Sequence, residues 1–253
     1  MCGNVRRSCA MLRAGMPSVP HDIATGFLLL PLAVLAVLSV LLVRSSRSLW
    51  WVVVVLVGWT SLTAALAASG ALADFESGQP RIPILVLTQL VFVVWVAWFS
   101  RWSGYLAQIP QTALVGLQCF RIPVEFLMAE LAARNLLAVE MTFHGRNFDI
   151  LAGGTALMLA VWLLSDGEEP LRPIVLGWNV MGLCLVTAVL AHGMLSVPYP
   201  FQLLHLSVPT FIVASFPVVW LLTVLVPIAY LLHLVSIRRC LAERIDMPEQ
   251  AES

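Results

Sequence analysis

The chain has 253 residues, of which 60% are hydrophobic and 11% charged, against about 25% charged in ordinary soluble domains. Its mean hydropathy is +0.93. This composition excludes a water-soluble globular chain, and 14 basic residues balancing 14 acidic ones leave no basic face for nucleic acid. Every basic residue is Arg, which excludes Schiff-base chemistry on Lys and a phosphate-cradling P-loop Lys.

In chain order, residues 1–23 come first, with Arg6, Arg7 and Arg13 followed by Pro17, Pro20 and Asp22. The apolar run after them is a full crossing, so this stretch reads as an extramembrane arm and not as a cleaved signal; Met11 and Met16 are alternative starts. Apolar runs of crossing length follow at 24–43, 49–72, 82–100, 148–165, 173–195 and 210–235. Breakers separate them: Arg44 to Arg47, Asp74 to Pro80, Asp166 to Pro170, and Pro198-Tyr199-Pro200. Pro31, Pro217 and Pro227 are expected to kink the first and last helices. Small residues every fourth position, Ser61, Ala65 and Ser69, then Ala152, Ala156 and Ala160, are expected to mark close helix contacts. Trp50, Trp51, Trp98 and Trp102 fall at one interface. Cys2, Cys9, Cys119, Cys184 and Cys240 form no metal or redox motif.

A further run, 112–133, carries Arg121, Glu125 and Glu130. Counted as a crossing, it gives seven helices and opposite sides for the two termini. With the C-terminus cytoplasmic, Arg44, Arg47, Arg101, Arg172, Arg238, Arg239 and Arg244 lie inside, and Arg81, Arg134 and Arg146 outside. The arm's arginines oppose this orientation. The expected architecture is an all-α integral membrane bundle of seven transmembrane helices, six if the fourth is interfacial. It is divided into arm 1–23, bundle 24–235 and cytoplasmic tail 236–253, in the plasma membrane with the N-terminus outside.

The fourth helix carries the sharpest polar pattern. Gln111, Gln118, Arg121 and Glu125 fall within a stripe of roughly 80° at about 100° per residue. Arg121 and Glu125 are expected to pair at i, i+4, pointing inward with Gln118 beside them. Pro123 frees the Cys119 carbonyl near the guanidinium, and Gln89 or Asn179 are candidate neighbours. Glu130 and Arg134 form a second pair nearer water. One reading is a lock between helices; the other is a polar pathway or ligand pocket, since intramembrane charges mark such sites.

The other polar stretch, 130–149, adds Arg134, Asn135, Glu140, Thr142, His144, Arg146, Asn147 and Asp149, with a turn at Gly145. It is expected to fold back into the outer mouth of the bundle, with Arg146 paired to Asp149 or Glu140. Its segment Met141-Thr-Phe-His-Gly-Arg-Asn-Phe-Asp149-Ile-Leu151 resembles one that recurs in small bacterial multi-pass membrane proteins of unassigned activity. The resemblance covers this segment only and implies no catalytic role.

These residues support a non-enzymatic expectation: binding or conducting a small polar solute or lipid headgroup through an outward-facing pocket. That pocket would use Gln118, Arg121, Glu125, Glu140, His144, Arg146, Asn147 and Asp149. The partners are the lipid bilayer and an unidentified small polar ligand, with homo- or hetero-oligomers possible; no cofactor is implied. An alternative is a metal site or enzyme using His144, Asp149, His192 and His205, without H-E-x-x-H or G-x-S-x-G spacing to support it. A third is a structural subunit of a membrane complex. His233 is placed at the inner end of the last helix, apart from the other histidines.

Overall fold

The computed structural model describes residues 18–46, 50–75, 77–200 and 202–245. Most of the expected arm, part of the first loop, including Arg47, and the last residues of the tail lie outside these. The described residues form helices without strands: α1 (His21–Ser45), α2 (Trp50–Ala68), α3 (Arg81–Trp98), a short α4 (Ser103–Leu106), α5 (Gln111–Leu117), α6 (Arg121–Ala133), α7 (Asp149–Asp166), α8 (Arg172–Ser196) and α9 (Val226–Ile245). A 3-10 turn, Gln118–Phe120, joins α5 to α6, and a π turn, Leu221–Leu225, leads into α9. With these joins, seven helices are long and apolar enough to cross a membrane.

The outer surfaces are apolar: Val91, Met158 and Leu164 are more than two-thirds exposed. The span from Leu221 to Ala242 is the centre of the bundle, with 61% of its apolar window buried against 17% for α2. α9 packs on α8, α3 and α5, while α7 packs on α5, α6 and α8, and α1 on α6.

Contacts at the two ends show how the helices alternate. At one end, Arg238 donates to the Ala97 carbonyl at 3.0 Å, Arg239 donates to Ala107 at 2.8 Å and to Glu168 at 2.7 Å, and Ser45 bonds the Tyr105 carbonyl. At the other, Arg134 forks onto Asp22, Arg81 pairs with Asp74 at 3.0 Å, and Tyr199 accepts from the Ile82 amide. Glu130 is 3.9 Å from Arg134, so the expected pair is present but secondary to Asp22.

Sequence detail explains several boundaries. α6 stops because Asn135 takes the left-handed region at φ 57°, while Asn135 and Leu136 amides return to the Ala132 and Leu131 carbonyls at 2.9 Å. The last helix starts later than expected from residue 210: Phe211–Ala214 is a 3-10 turn, and Pro217 stands ahead of the helix, where the preceding residue is steered out of helical geometry. Pro217 therefore opens the helix and does not kink it. At its far end α9 runs ten residues beyond the expected boundary of 235, so the start of the expected tail is helix docked by Arg238 and Arg239.

Pro227 has a different effect. Its missing N–H leaves the Thr223 carbonyl without its helical donor, and that carbonyl accepts from Trp59 Nε1 at 3.0 Å and Gln89 Nε2 at 2.6 Å. A proline in the last span thus anchors α2 and α3. Gln89 is consequently not a neighbour of Arg121. The small-residue stripe Ser61, Ala65 and Ser69 faces outward, and α2 packs instead through Thr60, Thr63 and Ala67. The α7 stripe Ala152, Ala156 and Ala160 is buried.

Candidate functional site

The α5–α6 span places Gln111, Gln118, Arg121 and Glu125 on its inner face, each 2% exposed or less. Burying four such groups is tolerable only where each finds partners. Arg121 finds them across the bundle. Its Nε donates to Asp149 Oδ2 at 2.7 Å and its Nη2 to Oδ1, a two-point grip on the first residue of α7. Nη2 also donates to the Gly182 carbonyl at 3.3 Å, and Nη1 lies 3.0 Å from His233 Nε2. The expected pairing with Glu125 is not made, and the Cys119 carbonyl is not the acceptor. The guanidinium leaves its own helix because Asp149 and the α8 carbonyl offer a planar fork across the bundle that an i+4 carboxylate does not.

The contact fixes the tautomer of His233. Arg121 has only protons to offer, so Nε2 accepts, and Nδ1 carries the proton that goes to Asn179 Oδ1 at 2.8 Å. Gly182 makes room for the ring: a Cβ there would lie 2.3 Å from His233 Cε1. Asn179 Nδ2 donates onward to Ser236 Oγ at 2.6 Å and to the Val175 carbonyl at 2.8 Å, and Gln111 Nε2 bonds the same Ser236 hydroxyl. In the other direction the Asp149 amide donates to Asn147 Oδ1 at 2.9 Å, and Asn147 Nδ2 donates to Glu125 Oε1 and to the Met141 carbonyl at 3.1 Å. A single hydrogen-bonded file therefore runs through the interior from Gln111 to Glu125, using α5, α6, α7, α8, α9 and the α6–α7 connection.

Asn147 is presented by a tight hairpin. The Gly145 amide donates to Thr142 at 2.8 Å and the Arg146 amide to Glu140 at 3.1 Å, and a Cβ on Gly145 would meet the Val139 carbonyl at 2.4 Å, so only glycine fits. The hairpin folds back on the bundle, burying Thr142, Asn147 and Asp149. Arg146, however, is exposed and joins neither Asp149 nor Glu140, because Arg121 holds the former and the Ser207 hydroxyl holds the latter at 2.7 Å. The Glu140 carboxyl feels partial burial, which raises its pKa, but the Ser207 bonds and the Arg146 charge outweigh this and hold it below the ordinary glutamate range.

Glu125 Oε2 has no partner, although Glu125 is 1% exposed. With Asp149 it lines a cavity of about 60 Å³ whose other walls include Met128, Leu190, Gly193 and Ile212. Gln118 has the same asymmetry: Nε2 donates to Ala229 at 3.1 Å while Oε1 is unpartnered. Along the polar file the unpartnered atoms are acceptors: Gln111 Oε1, Gln118 Oε1 and Glu125 Oε2.

The candidate residues accordingly divide. Gln118, Arg121, Glu125, Asn147 and Asp149 come together in the interior, while Glu140, His144 and Arg146 sit outside it, so they do not share one outward-facing pocket. His144 is exposed against Phe143, His192 is half-buried with Nδ1 2.9 Å from the Ala188 carbonyl, and His205 is exposed. They do not converge with Asp149, and no group of three His, Cys, Asp or Glu residues able to hold a metal occurs among the described residues. His233 and Ser236 belong to this buried file, and sequence reasoning did not place them there. Their signal was present: two polar residues three apart on one face of an apolar helix, each requiring a partner at depth.

A family described as a domain of unknown function (DUF8737) matches residues 79–241, and the chain belongs to it. The match starts just before α3 and includes the whole polar file. No curated protein matches, and no solved structure does.

Proposed function

We propose that the protein is an integral membrane protein of seven transmembrane helices in the cell membrane, N-terminus outside and C-terminus cytoplasmic, that binds or conducts a small polar solute. The exposed apolar faces of its helices and the seven-to-three distribution of loop arginines support this reading. We further propose that the solute is a small cation or hydrogen-bond donor. The interior contains one guanidinium, Arg121, against two carboxyl groups, Asp149 and Glu125, while His233 accepts from Arg121 and so is neutral.

The observation that carries this reading is Glu125, which lines a cavity beside Asp149 and has its Oε2 unpartnered. The cavity, about 60 Å³, has room for only a few water-sized groups. It suits a monovalent cation, ammonium or hydronium, and is too small for a sugar or amino acid. An anion would find Arg121 already occupied.

The test is flux and thermal stability of the reconstituted full chain in sodium, potassium, ammonium and methylammonium chloride, against sodium gluconate and sulfate series. A cation-dependent response that Glu125→Gln abolishes supports the reading. Indifference to every cation, or a response set by the anion and unchanged in Glu125→Gln, overturns it.

A further inference from the structure

We propose that a recess between α1, α2, α3 and the last span binds one acyl chain of an anionic phospholipid whose headgroup rests on Arg44 and Arg101. The inference rests on the membrane-spanning part of the reading above and not on the chemistry at Glu125.

The recess has a volume of about 400 Å³, within the range of about 300–1,000 Å³ usual for ligand pockets. Leu35 and Leu38 of α1, Val93 of α3 and Val224 of the π turn form its inner walls. Its origin is the way α2 is attached. Trp59 holds the Thr223 carbonyl and Trp220 donates to the Thr60 carbonyl at 3.2 Å, while at the other end Trp51 meets Trp102 at 4.6 Å. Between these two ties α2 stands off from the bundle. Val55 and Phe92, about half exposed, form the rim on α2 and α3, so the recess opens sideways.

Its walls are almost wholly apolar, and an apolar cavity does not hold water stably. In a bilayer the neighbouring solvent is hydrocarbon, and the shape is a slot along the helices, bounded by a polar layer at Thr223 and a tryptophan pair at the end of the bundle. That shape fits one chain lying along the helix axes. The charge at the open end selects the headgroup. Leu42 lines the slot, and Arg44 is at the same end of α1, about 200° round the helix from it; Trp102 lines the slot and the Arg101 guanidinium carbon sits 5.5 Å above the Trp102 ring. Both arginines are exposed, and neither forms an ion pair among the described residues. Each contributes about a fivefold preference for anionic over zwitterionic headgroups.

The test is native mass spectrometry of the full chain extracted into detergent from vesicles of equal dioleoylphosphatidylglycerol and dioleoylphosphatidylcholine. We expect one phosphatidylglycerol retained per chain, with its preference lost in Arg44→Gln with Arg101→Gln. Val93→Phe with Val224→Phe should abolish retention. Should that variant misfold, quenching of wild-type tryptophan by mid-chain-brominated phosphatidylglycerol decides: saturation near one lipid per protein supports the site, and strictly linear dependence on lipid fraction overturns it. Equal retention of both lipids, or undiminished retention by the folded filled variant, overturns it too. Release of the protein from membranes by alkaline carbonate would instead defeat the membrane reading itself.

Discussion

Arg121 bypasses Glu125, four residues ahead in its own span, and closes on Asp149 at the start of α7. The two acidic residues therefore differ: Asp149 pairs with the buried guanidinium, and Glu125 lines the cavity with one carboxyl oxygen unpartnered. Substitutions should separate the two.

Asp149→Asn or Arg121→Gln should lower unfolding free energy by about 3–5 kcal/mol, because each strands a buried charge. Arg121→Leu with Asp149→Leu should recover most of that loss. Glu125→Gln should cost about 1 kcal/mol or less, since its remaining oxygen still accepts from Asn147. Thermal unfolding in one detergent compares all four; a Glu125→Gln loss equal to that of Asp149→Asn would place the ion pair back on Glu125.

Gly182→Ala should destabilise by about 1–3 kcal/mol, because its Cβ would meet the His233 ring. Gly177→Ala, in the same helix with open space around it, should be neutral or slightly stabilising. The contrast is read from melting temperatures. Equal effects would remove His233 from its position against α8.

The Glu140–Ser207 contact predicts an acid-sensitive loop around Ser207. The folded carboxyl lies below its ordinary value, near pH 4.3, so its stabilisation is complete above that pH and lost as pH falls through the depressed folded value. The hydrogen-exchange rate at residues 204–208, taken relative to the intrinsic amide rate at each pH, should rise as pH falls from about 4.5 to 3 in the wild type. In Ser207→Ala it should already be raised at pH 7 and change less across that window.

The proposed orientation predicts opposite labelling of Ser77→Cys and Glu169→Cys in a background lacking the native cysteines. An impermeant maleimide added outside intact cells should modify Ser77→Cys and spare Glu169→Cys. Equal labelling would defeat the seven-crossing arrangement.

The spans were legible in the sequence because crossing length and apolarity are local properties, and the stripe from Gln111 to Glu125 was legible because helical spacing puts those residues on one face. The partners were not. Choosing Asp149 over Glu125 for Arg121 depends on which helix packs opposite, and the i, i+4 rule speaks only for one helix. His233 was assigned to the end of its span, and so separated from Arg121, because α9 continues ten residues further than its apolar run suggests. The outward face of Ser61, Ala65 and Ser69 shows the same limit: small residues permit a contact without specifying one.

The attachment of α2 also constrains the order in which the chain becomes native during synthesis. Its two hydrogen bonds to the rest of the bundle, Trp59 to Thr223 and Trp220 to Thr60, both depend on residues more than 150 positions downstream. An early helix therefore stays without these two bonds until the last span leaves the ribosome. A nascent chain halted before Trp220 should hold α2 without these two ties, and their formation would mark completion of the last span.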